Sequence, residues 1–418
     1  MIADRPVTPR GLRIWQPPLF MNFTEGFFYM SDFQLVCPCL FGLEGPLAEE
    51  LRKMDAQNVQ PQNGRVVFDG SGEIIARANL CSRYGERVQI LMAVFPARSF
   101  DELFEGVKAL PWERWIDRTD AFPVNGSCLD SKLASVPDCQ KIVKKAAVER
   151  LKSKYSVNWF EETGTPRRIH FLIMKDMASV MLDTTGPGLH KRGYRANAAE
   201  APIRETLAAA MVYFSRVRHD ASFFDPFCGS GTILIEAALA ALNIAPGIRR
   251  LFAAEEWPQV GREVWERERG RARSLETPDA GFSARGYDVD PAAVELTRAN
   301  AAKAGVTARI RAEQRGVAEF REDGEYGCVI CNPPYGERLL DLRAAEELYR
   351  AMGKAFVPRH GWSYSVISPD ETFEKCFGRP AVRRRKLYNG MIRCQYYMYF
   401  NETRGASGGA GPRFVNKL

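Results

Sequence analysis

Apolar residues recur along this chain with two periods, two and about three and a half, and the changes from one to the other mark its elements. Phe33-Gln-Leu-Val-Cys-Pro-Cys39 reads as a strand, followed by Gly42-Leu-Glu-Gly and a helix over 46–54 with Leu47, Leu51 and Met54 at helical spacing. Strand signals return at Gly64-Arg-Val-Val-Phe68 and Val88-Gln-Ile-Leu-Met-Ala-Val94, which completes a small α+β unit. A second α+β unit follows. It has a helix over 137–154, a strand at Arg168-Ile-His-Phe-Leu-Ile-Met174 and another at Ala178-Ser-Val-Met-Leu-Asp183, ahead of Gly186-Pro-Gly188.

From Ala201 the pattern changes to a helix through Leu207-Ala-Ala-Ala-Met-Val212, then alternating strand and helix signals, as in a doubly wound parallel sheet. Its last two strands, Arg385-Lys-Leu-Tyr388 and Met391 to Phe400, are separated by Asn389-Gly390. That turn predicts a hairpin and hence an antiparallel far edge. Residues 1–31 show no periodicity and read as an N-terminal extension; 403–418, rich in glycine, read as a flexible tail. The expected divisions are therefore 1–31, 32–196, 197–402 and 403–418.

Composition narrows the class. With 418 residues and 45% hydrophobic content the chain can bury more than one core. No apolar run approaches the roughly 20 residues of a membrane span, so a cytoplasmic protein without membrane contact is expected. The ten cysteines are scattered through apolar stretches as buried thiols are, which fits a reducing compartment. Cys37 with Cys39, and Cys328 with Cys331, are close pairs, but nothing nearby completes four ligands, and no metal is expected. Net charge is +7, and its placement matters more than its size. Basic residues gather at Lys141, Lys144, Lys145, Lys152 and Lys154, at Arg167 and Arg168, at His190 to Arg195 (Lys191, Arg192 and Arg195 among them), and at Arg383 to Lys386. Each cluster alone is an ordinary solvated face; together they would make a track for a phosphate backbone.

Three motifs carry the chemistry. The first is Ser222-Phe-Phe-Asp225-Pro226-Phe227-Cys228-Gly229-Ser230-Gly231-Thr232, a strand, a glycine turn and the start of an apolar helix. Glycines let a ligand approach the backbone, and the helix start offers amides to an anionic group. The turn lacks the lysine of a phosphate loop and the spacing of a dinucleotide fingerprint. S-adenosylmethionine fits better: Asp225 can accept from its ammonium while the amides of Gly229 to Thr232 hold its carboxylate. The second motif, Tyr287-Asp288-Val289-Asp290-Pro291, ends the next strand and places Asp288 to bind ribose hydroxyls. Asp290 reads as a helix N-cap, with Gly305 at the other end.

The third motif is Cys331-Asn332-Pro333-Pro334-Tyr335 at the end of a fourth buried strand. Two prolines stiffen the turn. The Asn332 amide oxygen and the Pro333 carbonyl can both accept from one exocyclic NH2, which aims the nitrogen lone pair at a methyl carbon. Tyr335 offers a stacking face to an extruded base. Glu337 and Arg338 read as residues that order the loop.

With these residues in hand, the chain resembles the bacterial large-subunit ribosomal RNA guanine-N2 methyltransferases that carry a THUMP RNA-binding domain ahead of a class I methyltransferase domain. The resemblance runs through Gly42-Leu-Glu-Gly, Gly188-Leu-His-Lys-Arg-Gly-Tyr-Arg195, Ala201-Pro-Ile-Arg-Glu-Thr-Leu-Ala-Ala209, the Asp225 to Thr232 turn, Ala245-Pro-Gly247, Asn332-Pro-Pro-Tyr-Gly-Glu-Arg338 and Lys386-Leu-Tyr-Asn-Gly390. It implies a Rossmann-like domain with a mostly parallel seven-stranded sheet and an antiparallel edge hairpin, preceded by an α+β ferredoxin-like and THUMP region. It also implies S-adenosylmethionine as cofactor and 23S rRNA, or a ribosome assembly intermediate containing it, as partner. The chain departs from many class I methyltransferases after the third strand, where Glu313-Gln-Arg-Gly316-Val317 has Gly316 in place of an adenine-binding acid. Backbone at Gly316 and Val317, or Glu319, would take that role. A tRNA guanine, a DNA adenine amine, and a non-catalytic RNA-binding assembly factor are the competing readings.

Overall fold

The computed structural model describes residues 13–14, 33–195, 203–215, 217, 222–321, 324–335 and 342–400. The N-terminal part contains strands β1 (Arg13–Ile14), β2 (Phe33–Pro38), β3 (Gln57–Gln62), β4 (Arg65–Gly70), β5 (Gln89–Pro96), β6 (Val124–Leu129), β7 (Ile169–Met174) and β8 (Met177–Asp183). Its helices are α1 (Glu44–Lys53), α2 (Gly72–Cys81), α3 (Phe100–Lys108) and α4 (Val136–Tyr155). The two α+β units expected separately share one sheet, in the order β3-β4-β2-β5-β8-β7-β6 with β1 also on β5. The join is the antiparallel pairing of β5 with β8, from Gln89 opposite Asp183 to Pro96 opposite Met177. β5 is central in this sheet and buried on both faces, and it is correspondingly apolar almost throughout instead of alternating. Helix α1 begins two residues before its predicted start because Glu44 accepts from the amides of Gly42 and Gly64, both at 2.9 Å, and so fixes the first turn. Leu47, Leu51 and Met54 are fully buried, each contributing about 1.5–3 kcal/mol by leaving water.

The C-terminal part comprises α5 (Glu205–Ser215), β9 (Ser222–Asp225), α6 (Thr232–Ala241), α7 (Arg262–Ser274), β10 (Ala284–Asp288), α8 (Pro291–Ala304), β11 (Ile310–Gln314), β12 (Gly327–Cys331), α9 (Leu342–Ala355), β13 (Trp362–Ser368), α10 (Phe373–Phe377), β14 (Arg383–Asn389) and β15 (Ile392–Phe400). Its seven-stranded sheet has the order β11-β10-β9-β12-β13-β15-β14, parallel from β11 to β13 and antiparallel beyond, as the Asn389-Gly390 signal predicts. The strand order reverses between β9 and β12. In such sheets ligands bind at that point, beyond the carboxyl ends of the strands.

The two parts meet along a polar seam. Arg77 of α2 donates to both carboxylate oxygens of Glu268 on α7, at 2.7 and 3.0 Å. The Gly247 amide donates to the Leu80 carbonyl at 2.8 Å, and a Cβ on Gly247 would lie 2.8 Å from the Asn79 carbonyl, so only glycine fits. Ala254 donates to the Thr184 carbonyl at 3.0 Å, tying the end of β8 to the second half. Among the described residues no helix is long and apolar enough to cross a membrane.

Candidate cofactor and base site

Because β9, β10 and β12 are parallel neighbours, the residues that end them gather on one edge: Asp225 on β9, Asp288 on β10 and Cys331, with Asn332 after it, on β12. The glycine turn between β9 and α6 is held from three sides. The Gly229 amide donates to Asp288 Oδ2 at 2.9 Å, and Gly231 donates to the Cys228 carbonyl at 2.7 Å. From α8, Thr297 Oγ1 donates to the Gly229 carbonyl at 2.8 Å and Asn300 Nδ2 to the Ser230 carbonyl at 2.9 Å. Thr297 and Asn300 are fully buried, and sequence reasoning overlooked both. Their signal was present as two polar residues three apart among the buried Val294, Ala301 and Ala304 of α8. Gly231 has φ of 78°, and a Cβ there would lie 2.8 Å from Thr297 Cγ2; at Gly229 the same position is open. The turn thus packs tightly on its helix side and leaves room at Gly229.

Asp225 is 1% exposed, and one oxygen accepts from the Phe227 amide at 3.0 Å. Burial pushes its carboxyl up to about 8, the nearby Asp288 pushes the same way, and the Phe227 bond opposes them. A buried acid raised in this manner favours a cation beside it, and S-adenosylmethionine carries two. Asp288 is half-buried and also accepts from the Asp290 amide at 3.0 Å, while Asp290 caps α8 through the Ala292 amide and Gly305 ends it with φ of 74°, both as predicted. Pro226 and Cys228 are buried in the turn and Phe227 is half-buried beside it. At the end of β11, Gly316 precedes a short turn with Val317 buried. Val289 is 70% exposed, and its Cγ1 lies 3.7 Å from where a Gly316 Cβ would stand. An exposed valine facing a glycine backbone suits a flat heterocycle.

Across the switch point, Asn332 is half-buried, and its Oδ1 is shielded from solvent with no hydrogen-bond partner among the described residues. An orphaned buried acceptor costs about 1–3 kcal/mol unless something donates to it. Pro333 is buried and Pro334 half-buried. Tyr335 is half-buried, and its hydroxyl accepts from Asn389 Nδ2 of the β14–β15 hairpin at 2.7 Å. Burial raises this phenol well above its ordinary value, so it stays neutral. Asn389 entered the sequence reading only as a turn residue; its hold on Tyr335 joins positions 54 apart. Glu337 and Arg338 lie outside the described residues.

The expected phosphate contacts divide sharply. Arg167 is 2% exposed, donates to Asp120 at 2.9 Å and stacks on Trp257; Arg192 is 4% exposed and donates to the carbonyls of Leu189 and Arg83. Both are packing residues with little surface to offer a phosphate, which corrects their assignment: a guanidinium can be buried when carboxylates and carbonyls take its hydrogen bonds, and here they take part of them. Lys144 is half-buried, paired with Glu162 at 2.5 Å and over the Phe122 ring. Arg195 donates to the Ile203 carbonyl and, at 3.0 Å, to Thr232 Oγ1 at the start of α6, so it braces the cofactor turn. Arg168 is half-buried beside Asp183, while Lys145 and Lys191 are exposed. Among the described residues no group of three or more His, Cys, Asp or Glu is arranged to hold a metal.

Three family profiles match in succession: the RlmL ferredoxin-like domain at residues 34–89, the THUMP domain at 97–183 and the RMKL-like methyltransferase domain at 192–398. The protein named "Putative RNA methyltransferase YpsC" of Bacillus subtilis is 42% identical over 377 residues, covering 90% of this chain and 98% of its own. Ribosomal RNA large subunit methyltransferase K/L of Psychromonas ingrahamii is 34% identical over 85% of this chain, which spans only 49% of that relative. The crystal structure of SMU.472 complexed with SAH superimposes with a TM-score of 0.84 at 41% identity, covering 90% of this chain and 99% of that one. S-adenosylmethionine is accordingly the cofactor. The chain belongs to the RMKL-like family of S-adenosylmethionine-dependent methyltransferases, with RlmL ferredoxin-like and THUMP domains ahead of the catalytic one.

Proposed function

We propose that this enzyme transfers a methyl group to the exocyclic N2 amine of a guanine in 23S rRNA. The observation that carries the reading is Asn332 Oδ1, a buried acceptor without a donor among the described residues, at the strand end beside the glycine turn. An aromatic amine has two N–H donors to give, and Asn332 Oδ1 with the Pro333 carbonyl are two acceptors in a turn stiffened by proline. Held this way, the amine nitrogen turns its lone pair away from the turn. The cofactor, when bound, supplies an electrophilic methyl on a sulfonium. As positive charge grows on nitrogen both acceptors bind its protons more strongly, which lowers the barrier without a strong base, and the proton leaves afterwards. The choice of RNA rests on the THUMP domain and on the names of the relatives, and that of guanine in 23S rRNA on the resemblance in the quoted motifs.

The test is methyl transfer from labelled S-adenosylmethionine to total rRNA, total tRNA and DNA, with nucleosides identified, for wild type and Asn332→Ala. Label in N2-methylguanosine of rRNA, lowered about 10²-fold or more by the substitution, is the expected result. Label confined to tRNA or to DNA adenine would overturn the substrate, and transfer unaffected by Asn332→Ala would overturn the site.

A further inference from the structure

The Asn389–Tyr335 bond links the catalytic turn to a hairpin whose outer surface the methyl-transfer chemistry does not use. Strand β14 ends the sheet, and Arg383, Arg384, Arg385 and Lys386 along it are all exposed. Arg384 is held by Glu374; Arg385 lies 4.0 Å from the Phe214 ring and Lys386 5.7 Å from that of Tyr388. At the tip, Met391 is 97% exposed and Ile392 48% exposed. Beside them Phe41, 58% exposed, meets Tyr388 edge-on with ring centroids 6.1 Å apart. Phe41 belongs to the ferredoxin-like part, and Gly42 next to it abuts the Lys386 carbonyl, so both halves of the chain build this surface.

Cations on an edge strand also keep it from pairing with a second chain. That role asks nothing of a bare methionine at the tip or of a half-exposed aromatic pair beside it. Cations interleaved with rings and an apolar point are what a single-stranded nucleic acid requires, since its backbone needs charge and its unstacked bases need flat apolar partners. The geometry points to the β14–β15 hairpin, with Phe41, as the docking surface for the RNA strand that flanks the target nucleotide. The β14 cations take the phosphates, and Met391 with the Phe41–Tyr388 pair covers the base left unstacked when its neighbour is extruded toward Asn332. Through Asn389, the same contact sets the ring of Tyr335. This rests on the reading of RNA as substrate.

The test uses the full chain and deproteinised total rRNA, with binding measured over a series of salt concentrations and methyl transfer measured in single turnover. Replacing Arg383, Arg385 and Lys386 together by alanine should weaken rRNA binding by roughly tenfold or more and reduce the salt slope by about 2, three phosphates at about 0.7 each. Replacing the two arginines by lysine instead should leave the slope near that of wild type. Met391→Ala should leave the slope unchanged and lower the single-turnover rate by about tenfold, the order expected for a lost base contact. Binding of S-adenosylhomocysteine should be the same in all variants. If wild type binds and methylates rRNA and the variants match it, the hairpin is not the docking surface while the function stands; if wild type labels DNA and no RNA, both readings fall together.

Discussion

The arginines at the seam between the two halves and those on the β14 edge carry the same group and live under opposite conditions. Arg77, Arg167 and Arg192 are 8% exposed or less, and each ends on a carboxylate or on backbone carbonyls from a distant part of the chain. Arg383 to Lys386 face water. A buried guanidinium without partners would cost several kcal/mol, so the seam arginines exist only together with Glu268, Asp120 and the carbonyls around them. The lesson is that a cluster of basic residues in a sequence identifies a phosphate track only after its spatial partners are known.

The largest expected effect sharpens this contrast from the seam side. Glu268→Ala leaves buried Arg77 with only exposed Asp55 and the Met54 carbonyl as partners and should lower stability by about 3 kcal/mol in urea unfolding; a loss below about 1 kcal/mol would show that the pair does not hold the halves together. Next comes a buried acid awaiting its cation. Below about 8 the carboxyl of Asp225 in the cofactor-free site holds its proton. A cationic cofactor favours the carboxylate, so affinity should rise with pH from 6 to 8 by up to roughly tenfold per unit. Calorimetric titration of S-adenosylmethionine would read this, and Asp225→Asn should flatten it; a flat wild-type profile would remove the proposed pairing. Arg195→Ala, which frees Thr232 and also takes the ion-pair partner from buried Glu205, should weaken cofactor binding by about 1 kcal/mol, one net hydrogen bond, and lower stability in urea unfolding as well. Smallest of all, alanine at Arg383, Arg385 and Lys386 should shift stability by no more than about 0.5 kcal/mol, because exposed side chains and their ring contacts at the surface contribute little. A larger loss in thermal unfolding would place them with the seam arginines.

Much of the site was legible along the chain because its parts are contiguous. A strand, a glycine turn and a helix start lie within eleven residues at Ser222 to Thr232, and Asp288 to Pro291 and Asn332 to Tyr335 are each four consecutive residues. What escaped were residues whose partners are remote. Thr297 and Asn300 meet the glycine turn across about 70 positions, and Asn389 meets Tyr335 across 54. Elements of the fold escaped for a related reason. Helix α2 is buried almost all round and β3 is mostly exposed, so neither shows the two-faced periodicity that betrays half-buried structure.

By itself the amino-acid sequence determined the alternating strands and helices of the second half, the antiparallel hairpin at its edge, the caps of α8 and the three turns of the candidate cofactor and base site. These follow from local rules of spacing, turn chemistry and burial that act within a few residues. Tertiary structure alone decided that β5 and β8 would fuse two units into one sheet, which arginines would be walled in and which left in water, and that Asn332 Oδ1 would be buried without a donor among the described residues. Each of those outcomes depends on what arrives from far along the chain to cover a surface or satisfy a polar atom, and no local pattern encodes the arrival.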